Sequence, residues 1–413
     1  MKREILVSRQ EGSLRAAVIE DDRLVEYHIE RQQEIAGSIF LGSVADVVPG
    51  MSCAFVDIGL GRNALLAARD IYVNERQAPL GQSISSLVKK GERLLVQARK
   101  APVGDKGARV TMRISLPGRY CVLLPRDGGR MGVSRKIENP KERQRLRQIA
   151  LKEVGRKAGL IVRTEAAGVD DEVLQEELKE LSELWANIKR RGRRKKPGVL
   201  WRQPELIERL IRDMLTADTR HLYLDNDSDY QLAREMVRRE ARSLLDRVRL
   251  RRGPNLFRDF RVGQQLQTAL RPTVKLPSGG TVTIEETEAC ATVDVNTGKF
   301  VGEVDLEDTA LRTNMEAAQE TARQLRLRGI GGIVVIDFID MAKASNRRRL
   351  MGALEEAFRR DKARVRLAHV SPLGLVEMTR KRTGKSLAQE LTETCSTCGG
   401  SGRAMGPEVK GLT

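Results

Sequence analysis

The alternation of apolar and polar positions changes rhythm several times along the chain. Residues 4–31 carry a period of two in EILVSR, LRAAVIE and RLVEYHIER, with the polar turn Asp21-Asp22 before the third run. That pattern predicts a meander of three half-buried strands. From 35 to 114 the apolar runs shorten and glycines break them: IAGSIFLGSVADVVPGMSCAFVDIGLGRNALL, RLLVQARKAP, GARVTMRIS. About five strands at this spacing predict a small OB-type barrel. Residues 115–205 open with RYCVLLP and the glycine-rich turn DGGRMGVSRK. They reach GLIVRTEAAG, a strand running into a polar turn that carries Arg163 and Thr164, and then a long helix over roughly 170–190. Residues 206–270 read as arginine-rich helix with one strand at HLYLDN. From 271 the pattern is α/β. TVTIEE and ACATVDV are strands, and LEDTALRTNMEAAQETARQLRLRG is a long amphipathic helix closed by Gly329. GIVVIDF is an apolar strand, NRRRLMGALEEAFRRD a helix and RVRLAHVS the last strand.

Charge adds a partner to this outline. The chain of 413 residues carries 74 Lys and Arg against 56 Asp and Glu, a net charge of +18. Each phosphate neutralised by such a surface releases counterions, so nucleic acid is the first polyanion to consider. Composition alone fits a solubility bias equally well. The run Lys189–Lys196 is basic at every position but Gly192, and reads either as a solvated loop or as an RNA contact. OB barrels bind single strands with aromatic and basic residues on one face. Here Phe40, Phe55 and Tyr72 are the aromatics, and Lys100, Lys106 and Arg109 the cations. Taken alone, Phe55 reads as a core side chain. No apolar run of about 18 residues predicts a membrane span, and MKREILVSRQEGS lacks the apolar centre of a signal peptide. Cys53, Cys121 and Cys290 stand singly in apolar runs and read as buried, reduced thiols, which fits a cytoplasmic setting. Residues after Cys398 are glycine-rich and read as a poorly ordered tail.

Two features carry candidate chemistry. The strands ending at Asp294 and Asp337 flank one helix, and a strand–helix–strand unit makes its strands parallel. If they are neighbours, both carboxylates meet at the carboxyl end of the sheet, where open α/β sheets place ligands. Two carboxylates without a nearby histidine suit a hard cation such as magnesium, which assists phosphodiester cleavage. Asn296 projects to the same side and could orient a carboxylate or the scissile phosphate. Asp340 is a candidate third acid, and Lys299 in NTGK a candidate phosphate contact. Aspartates at strand ends also serve simply to satisfy turn amides. The second feature is Cys395 and Cys398 in CSTCGGSGR, a spacing that lets two thiolates share one zinc. One pair supplies half a tetrahedral site, so an identical pair from another chain would complete it. A redox C-x-x-C and a lone copy of a chaperone-type zinc repeat are the competing readings.

In order along the chain, AFVDIGLGRNA, LIVRT, KLPSGG, TVDVNTGK, ARQLRLRGIGGIVVIDFIDM and the C-x-x-C pair resemble the catalytic region of the ribonuclease E/G family. The resemblance runs from EILVSR to CSTC, nearly the whole chain. It implies an α+β multidomain architecture. An RNase H-like domain, 1–34 and 206–270, is interrupted by an OB-fold RNA-binding domain at 35–114 and a 5′-sensor region at 115–205. A DNase I-like catalytic domain follows at 271–392, then a zinc-link and tail at 393–413. The implied activity is magnesium-dependent endoribonuclease cleavage of single-stranded, AU-rich RNA with a preference for 5′-monophosphate ends. Its implied setting is ribosomal and transfer RNA maturation and messenger decay. Asp294 and Asp337 fall on the magnesium aspartates and Asn296 on the neighbouring asparagine. Gly118, Val122, Arg163 and Thr164 fall on 5′-phosphate sensing positions. Phe55, Lys100, Lys106 and Arg135 fall on RNA contacts, which places Phe55 on a binding face rather than in a core. Cys395 and Cys398 fall on a zinc-link that joins a homodimer. The sequence departs from the family pattern at Leu65, where a second aromatic is expected, and at Ser396, which replaces a proline. A tetramer is expected only where a further small domain follows Thr413. A non-catalytic RNA-binding scaffold is the rival class, and a paired carboxylate site argues against it.

Overall fold

Alternation in the first 29 residues produces three antiparallel strands, Arg3–Gln10, Ser13–Glu20 and Arg23–Ile29. The first of these also pairs in parallel with Thr219–Leu224, which in turn pairs in parallel with Val248–Leu250. One five-stranded sheet thus unites the beginning of the chain with residues about 220 positions later. Between 206 and 270 the hydrophobic pattern predicts a single strand, and Val248–Leu250 is a second. At three residues, flanked by arginines in RVRLRR, it is too short to show alternation. Helices Leu206–Asp213 and Asp227–Glu240 pack on one face of this sheet. The second begins at Asn226, whose side chain accepts from the backbone N–H groups of Ser228 and Asp229. The computed structural model describes residues 2–402 apart from 31–34, 74–75, 78–81, 103–106, 155–157, 194–195, 254–255, 298–305, 372–373 and 401. Lys106, Lys299, two residues of the basic run and the tail from 403 lie outside the described residues.

Strands Ile39–Val48, Cys53–Asp57, Ala64–Ala67, Arg109–Thr111 and Arg93–Lys100 form a closed, OB-like barrel. Closure comes from antiparallel pairing of the first with the last. Its interior is filled by Phe40, Val56, Leu66 and Val96. Strand Gly198–Trp201, from beyond the basic run, adds to the open side of Ile39–Val48. Next to the barrel, Leu116–Pro117, Cys121–Leu124, Gly159–Val162 and Met131–Val133 make a small sheet. Helices Pro140–Val154 and Asp171–Gly192 share a core with it.

The last sheet has the order Thr273–Lys275, Thr281–Glu286, Cys290–Asn296, Gly332–Asp337, Val376–Arg380, Val365–Val370. Cys290–Asn296 and Gly332–Asp337 are parallel neighbours. Helices Leu306–Leu327 and Ala344–Phe358 pack against one face, where Val293, Val295, Val334 and Ile336 meet Ala318, Leu325, Leu350 and Leu354. The sequence pattern ends this sheet at RVRLAHVS, but Val376–Arg380 is a further strand, inserted between Val365–Val370 and the centre. Its terminal Arg380 is buried against Asp361, with Nε donating at 2.7 Å. An arginine in a strand core is tolerated only with such a partner. Cys53 and Cys121 are buried thiols as expected; Cys290 is not, being half-buried at a strand start beside Thr287. No helix among the described residues is long and apolar enough to cross a membrane.

Candidate functional site

Asp294 and Asp337 are direct partners in the parallel ladder, which sets their Cα atoms about 4.8 Å apart. Because side chains alternate along a strand, the neighbours Val293, Val295 and Ile336 turn into the core. The two carboxylates therefore stand on the face that the helices leave uncovered, both exposed. Asn296 lies on that same face, and its Nδ2 donates to Asp294 Oδ2 at 2.5 Å. Among the described residues, no lysine or arginine forms an ion pair with Asp294 or Asp337. No group of three or more His, Cys, Asp or Glu converges on a metal-holding arrangement among the described residues, so Asp340 does not complete a carboxylate trio.

The loop after Asp337 is held by the long helix. Asn314, fully buried, donates from Nδ2 to the Ile339 carbonyl at 2.8 Å and accepts from the Ile339 N–H at 3.0 Å. Two turns earlier on the same face, Glu307 accepts from the backbone N–H groups of Ala342 at 2.8 Å and Lys343 at 3.0 Å. It also accepts from Asn346 Nδ2 at 2.9 Å. These bonds cap helix Ala344–Phe358, whose own N-cap Lys343 makes no side-chain cap. Accordingly the N–H of Lys343 holds the Glu307 carboxyl below its ordinary range. On the opposite flank the KLPSGG turn packs against the Asp294 strand. A Cβ at Gly280 would come within 2.6 Å of the Asn296 carbonyl, so glycine is required there. Glu316 accepts from the Ser278 N–H at 2.8 Å and fixes the turn to the same helix. Sequence reasoning missed Asn314 and Glu307. Their only sequence signal is a polar pair spaced seven apart on one face of an amphipathic helix.

A second cluster gathers residues from three segments. Arg163 Nη1 donates to the Gly118 carbonyl at 2.9 Å and to Asp213 Oδ1 at 2.6 Å. Thr164 and Ser134 share a hydroxyl hydrogen bond of 2.8 Å. Val122 is half-buried on the adjacent strand, paired with Ile161. Glu177 accepts from the N–H groups of Arg119, Tyr120 and Cys121, and its carboxyl fills the space a Cβ at Gly118 would need. Burial raises the Glu177 carboxyl to about 6 despite these donors. Asp213 ends the helix Leu206–Asp213 of the split sheet. Burial pushes its carboxyl up, but Arg212 and Arg163 hold it below the ordinary range. Lys362, from the last unit, donates to the Asp213 carbonyl at 2.8 Å. Gly118, Arg163 and Thr164 are thus brought together, with Asp213 and Glu177 as unforeseen partners.

On the barrel, Phe55 pairs with Leu65, Leu65 with Arg109, and Arg109 with Lys100. Since Ala54 and Val56 point inward, this row faces outward, and the core reading of Phe55 is corrected. Arg135 is exposed in a turn of the small sheet, outside that row. Cys395 is exposed and Cys398 half-buried, one turn apart, with Gly399 N–H donating to the Cys395 carbonyl at 2.8 Å. Backbone N–H groups of Cys398 and Thr397 lower the Cys395 thiol.

Paired carboxylates on an open sheet face, joined to an OB-like barrel in a strongly basic chain, define an enzyme that acts on a nucleic acid. Comparison with known proteins makes this specific. The model of the Ribonuclease E/G family matches residues 115–383. Ribonuclease G of Salmonella typhimurium is 40% identical over 97% of this chain and 84% of its own length. Ribonuclease G of Haemophilus influenzae is 38% identical over the same shares. Ribonuclease E of Nostoc is 37% identical over 98% of this chain and 59% of its own length. The chain belongs to the ribonuclease E/G family and is an endoribonuclease.

Proposed function

We propose that this endoribonuclease hydrolyses phosphodiester bonds of single-stranded, AU-rich RNA with magnesium held by Asp294 and Asp337. The observation that carries the reading is their direct pairing in the parallel ladder on an uncovered face. Two carboxylates and an amide are hard oxygen donors, and with no ion pair among the described residues they suit a cation that keeps several waters. When bound, magnesium supplies a Lewis acid for the phosphoryl oxygen and a lowered pKa for water. Asn296 holds the Asp294 carboxylate in one orientation through its Nδ2. Asn314 and Glu307 fix the backbone that follows Asp337.

The substrate reading extends to the other clusters. Phe55, Lys100 and Arg109 offer a stacking ring and two cations in one row, suited to a single strand. Lys106 and Arg135 are further RNA contacts in this reading. Arg163 and Thr164, with the backbone of Gly118 and the side wall of Val122, receive a 5′-monophosphate, a guanidinium and a hydroxyl being apt donors for it. The split sheet is read as RNase H-like and the last unit as DNase I-like. Cys395 and Cys398 share zinc with the same pair of a second chain, giving a homodimer. Two thiols in one exposed turn fit half of a tetrahedral site. Ribosomal and transfer RNA maturation and messenger decay in the cytoplasm are the proposed setting.

The test is cleavage of a 5′-monophosphorylated single-stranded RNA by wild type, Asp294→Asn and Asp337→Asn in magnesium. Loss of about a hundredfold or more in both variants is expected, with RNA binding kept. Equal cleavage by all three removes the proposed site.

A further inference from the structure

A cavity of about 130 Å³ lies where the barrel meets the small sheet, and it shares no residue with the clusters described above. Ile114, Leu124 and Ile161 form its apolar part, and Tyr72, Arg113 and Arg130 border it. The Arg113 guanidinium lies over the Tyr72 ring, 5.6 Å from its centre. Arg113 Nη2 donates to the Arg69 carbonyl at 3.1 Å. Its Nε is buried and has no hydrogen-bond partner among the described residues. A buried donor left unpaired is costly, so such an atom marks a place where an acceptor is missing. Asp127 is 3.3 Å from Arg130, yet with three arginines against this one carboxylate the lining keeps a positive excess. Burial, and then the Asp127 carboxylate, push the Tyr72 phenol above its ordinary range, so the ring stays neutral.

We propose that this cavity binds one nucleotide unit, its base against Ile114, Leu124 and Ile161 and its phosphate on Arg113 Nε and Arg130. The size fits. An apolar cavity of about 150 Å³ holds a benzene ring, so 130 Å³ admits one base and leaves the phosphate at the arginine border. A bare phosphate would leave the apolar floor unused, and an apolar side chain would leave the Arg113 donor unpaired. Arginine pairs strongly with phosphate oxygens, and an aromatic wall tolerates any base. The unit is either a link of an RNA chain or a free nucleoside monophosphate. It goes beyond the metal-site reading, because none of these residues takes part in that site.

The experiment uses the full chain in EDTA, so that cleavage does not intervene. Binding of a fluorescent 5′-hydroxyl decauridylate is followed by anisotropy, and binding of uridine 5′-monophosphate by calorimetry. Arg113→Gln removes the unpaired donor, Arg130→Ala the border charge, and Leu124→Trp fills the cavity without changing charge. Each is expected to weaken binding about fivefold or more, with the melting temperature of Leu124→Trp and Arg130→Ala kept. Loss for the decamer alone identifies a link of a chain. Loss for the mononucleotide alone identifies a free nucleotide, and loss for both a site open to either. If Arg113→Gln does not fold, the other two variants decide. Unchanged binding of both probes by folded Leu124→Trp and Arg130→Ala overturns the proposal.

Discussion

Replacing Asn314 by alanine should loosen the catalytic strand end without touching a carboxylate. The side chain is fully buried and makes two hydrogen bonds to the backbone of Ile339, two residues after Asp337. Truncation leaves one buried N–H and one buried carbonyl unpaired. At about 1–3 kcal/mol per orphaned group, the local cost is about 2–4 kcal/mol, with water entry favouring the lower end. At 1.36 kcal/mol per tenfold change, this predicts about 30- to 900-fold faster opening of residues 338–341. Hydrogen exchange read by mass spectrometry reports it directly, with the strand Cys290–Asn296 as an internal control. Cleavage should fall about tenfold to a hundredfold in kcat with KM little changed, because misplacement of a catalytic group by about 1 Å costs that much. Exchange at 338–341 within threefold of wild type would refute the energetic argument. Faster exchange with unaltered kcat would refute the link from Asn314 to Asp337.

Arg163→Ala should lower cutting of 5′-monophosphorylated RNA about tenfold more than that of a 5′-hydroxyl control, since a charge-assisted phosphate contact is lost; equal loss on both substrates counts against the sensor. Zinc chelation or Cys395→Ser should shift the mass seen by light scattering from dimer to monomer, and an unchanged mass contradicts the shared site. Leu65→Phe, beside Phe55 in the barrel row, should tighten single-strand binding by about 1–3 kcal/mol in anisotropy, the worth of one stacked base. Glu177 gives a pH dependence with a definite sign. Its folded value of about 6 lies above the ordinary 4.5, so its contribution is full below pH 4.5 and lost as pH rises through 6. That is a fall of about 2 kcal/mol, and Glu177→Gln should remove this slope from melting temperatures measured between pH 4.5 and 6.5.

What was legible in the sequence was what a local pattern can carry. Period-two runs located the first three strands, and the strand–helix–strand rhythm placed Asp294 and Asp337 on parallel neighbours before any coordinates were considered. Alternation within Ala54, Phe55 and Val56 decides that Phe55 faces outward, but only after the barrel fixes which side is inside. Short strands escaped. Val248–Leu250 spans three residues, and Val376–Arg380 ends in a cation that looks unfit for a sheet until Asp361 supplies its partner.

The partners that set the geometry escaped for a different reason: each acts over a sequence distance that no pattern records. Asn314 reaches a backbone 25 residues on, and Asp213 meets an arginine 50 residues before it. A polar residue in a helix interior carries no mark of whether it caps a loop or faces water. Burial distinguishes them, since an amide fully removed from solvent persists only where its donors and acceptors are both used. Asn314 satisfies that condition through Ile339 alone. The same criterion, applied to Arg113 Nε, finds a buried donor whose partner the described residues do not provide. One accounting rule therefore separates a side chain that holds the site together from one that awaits a ligand.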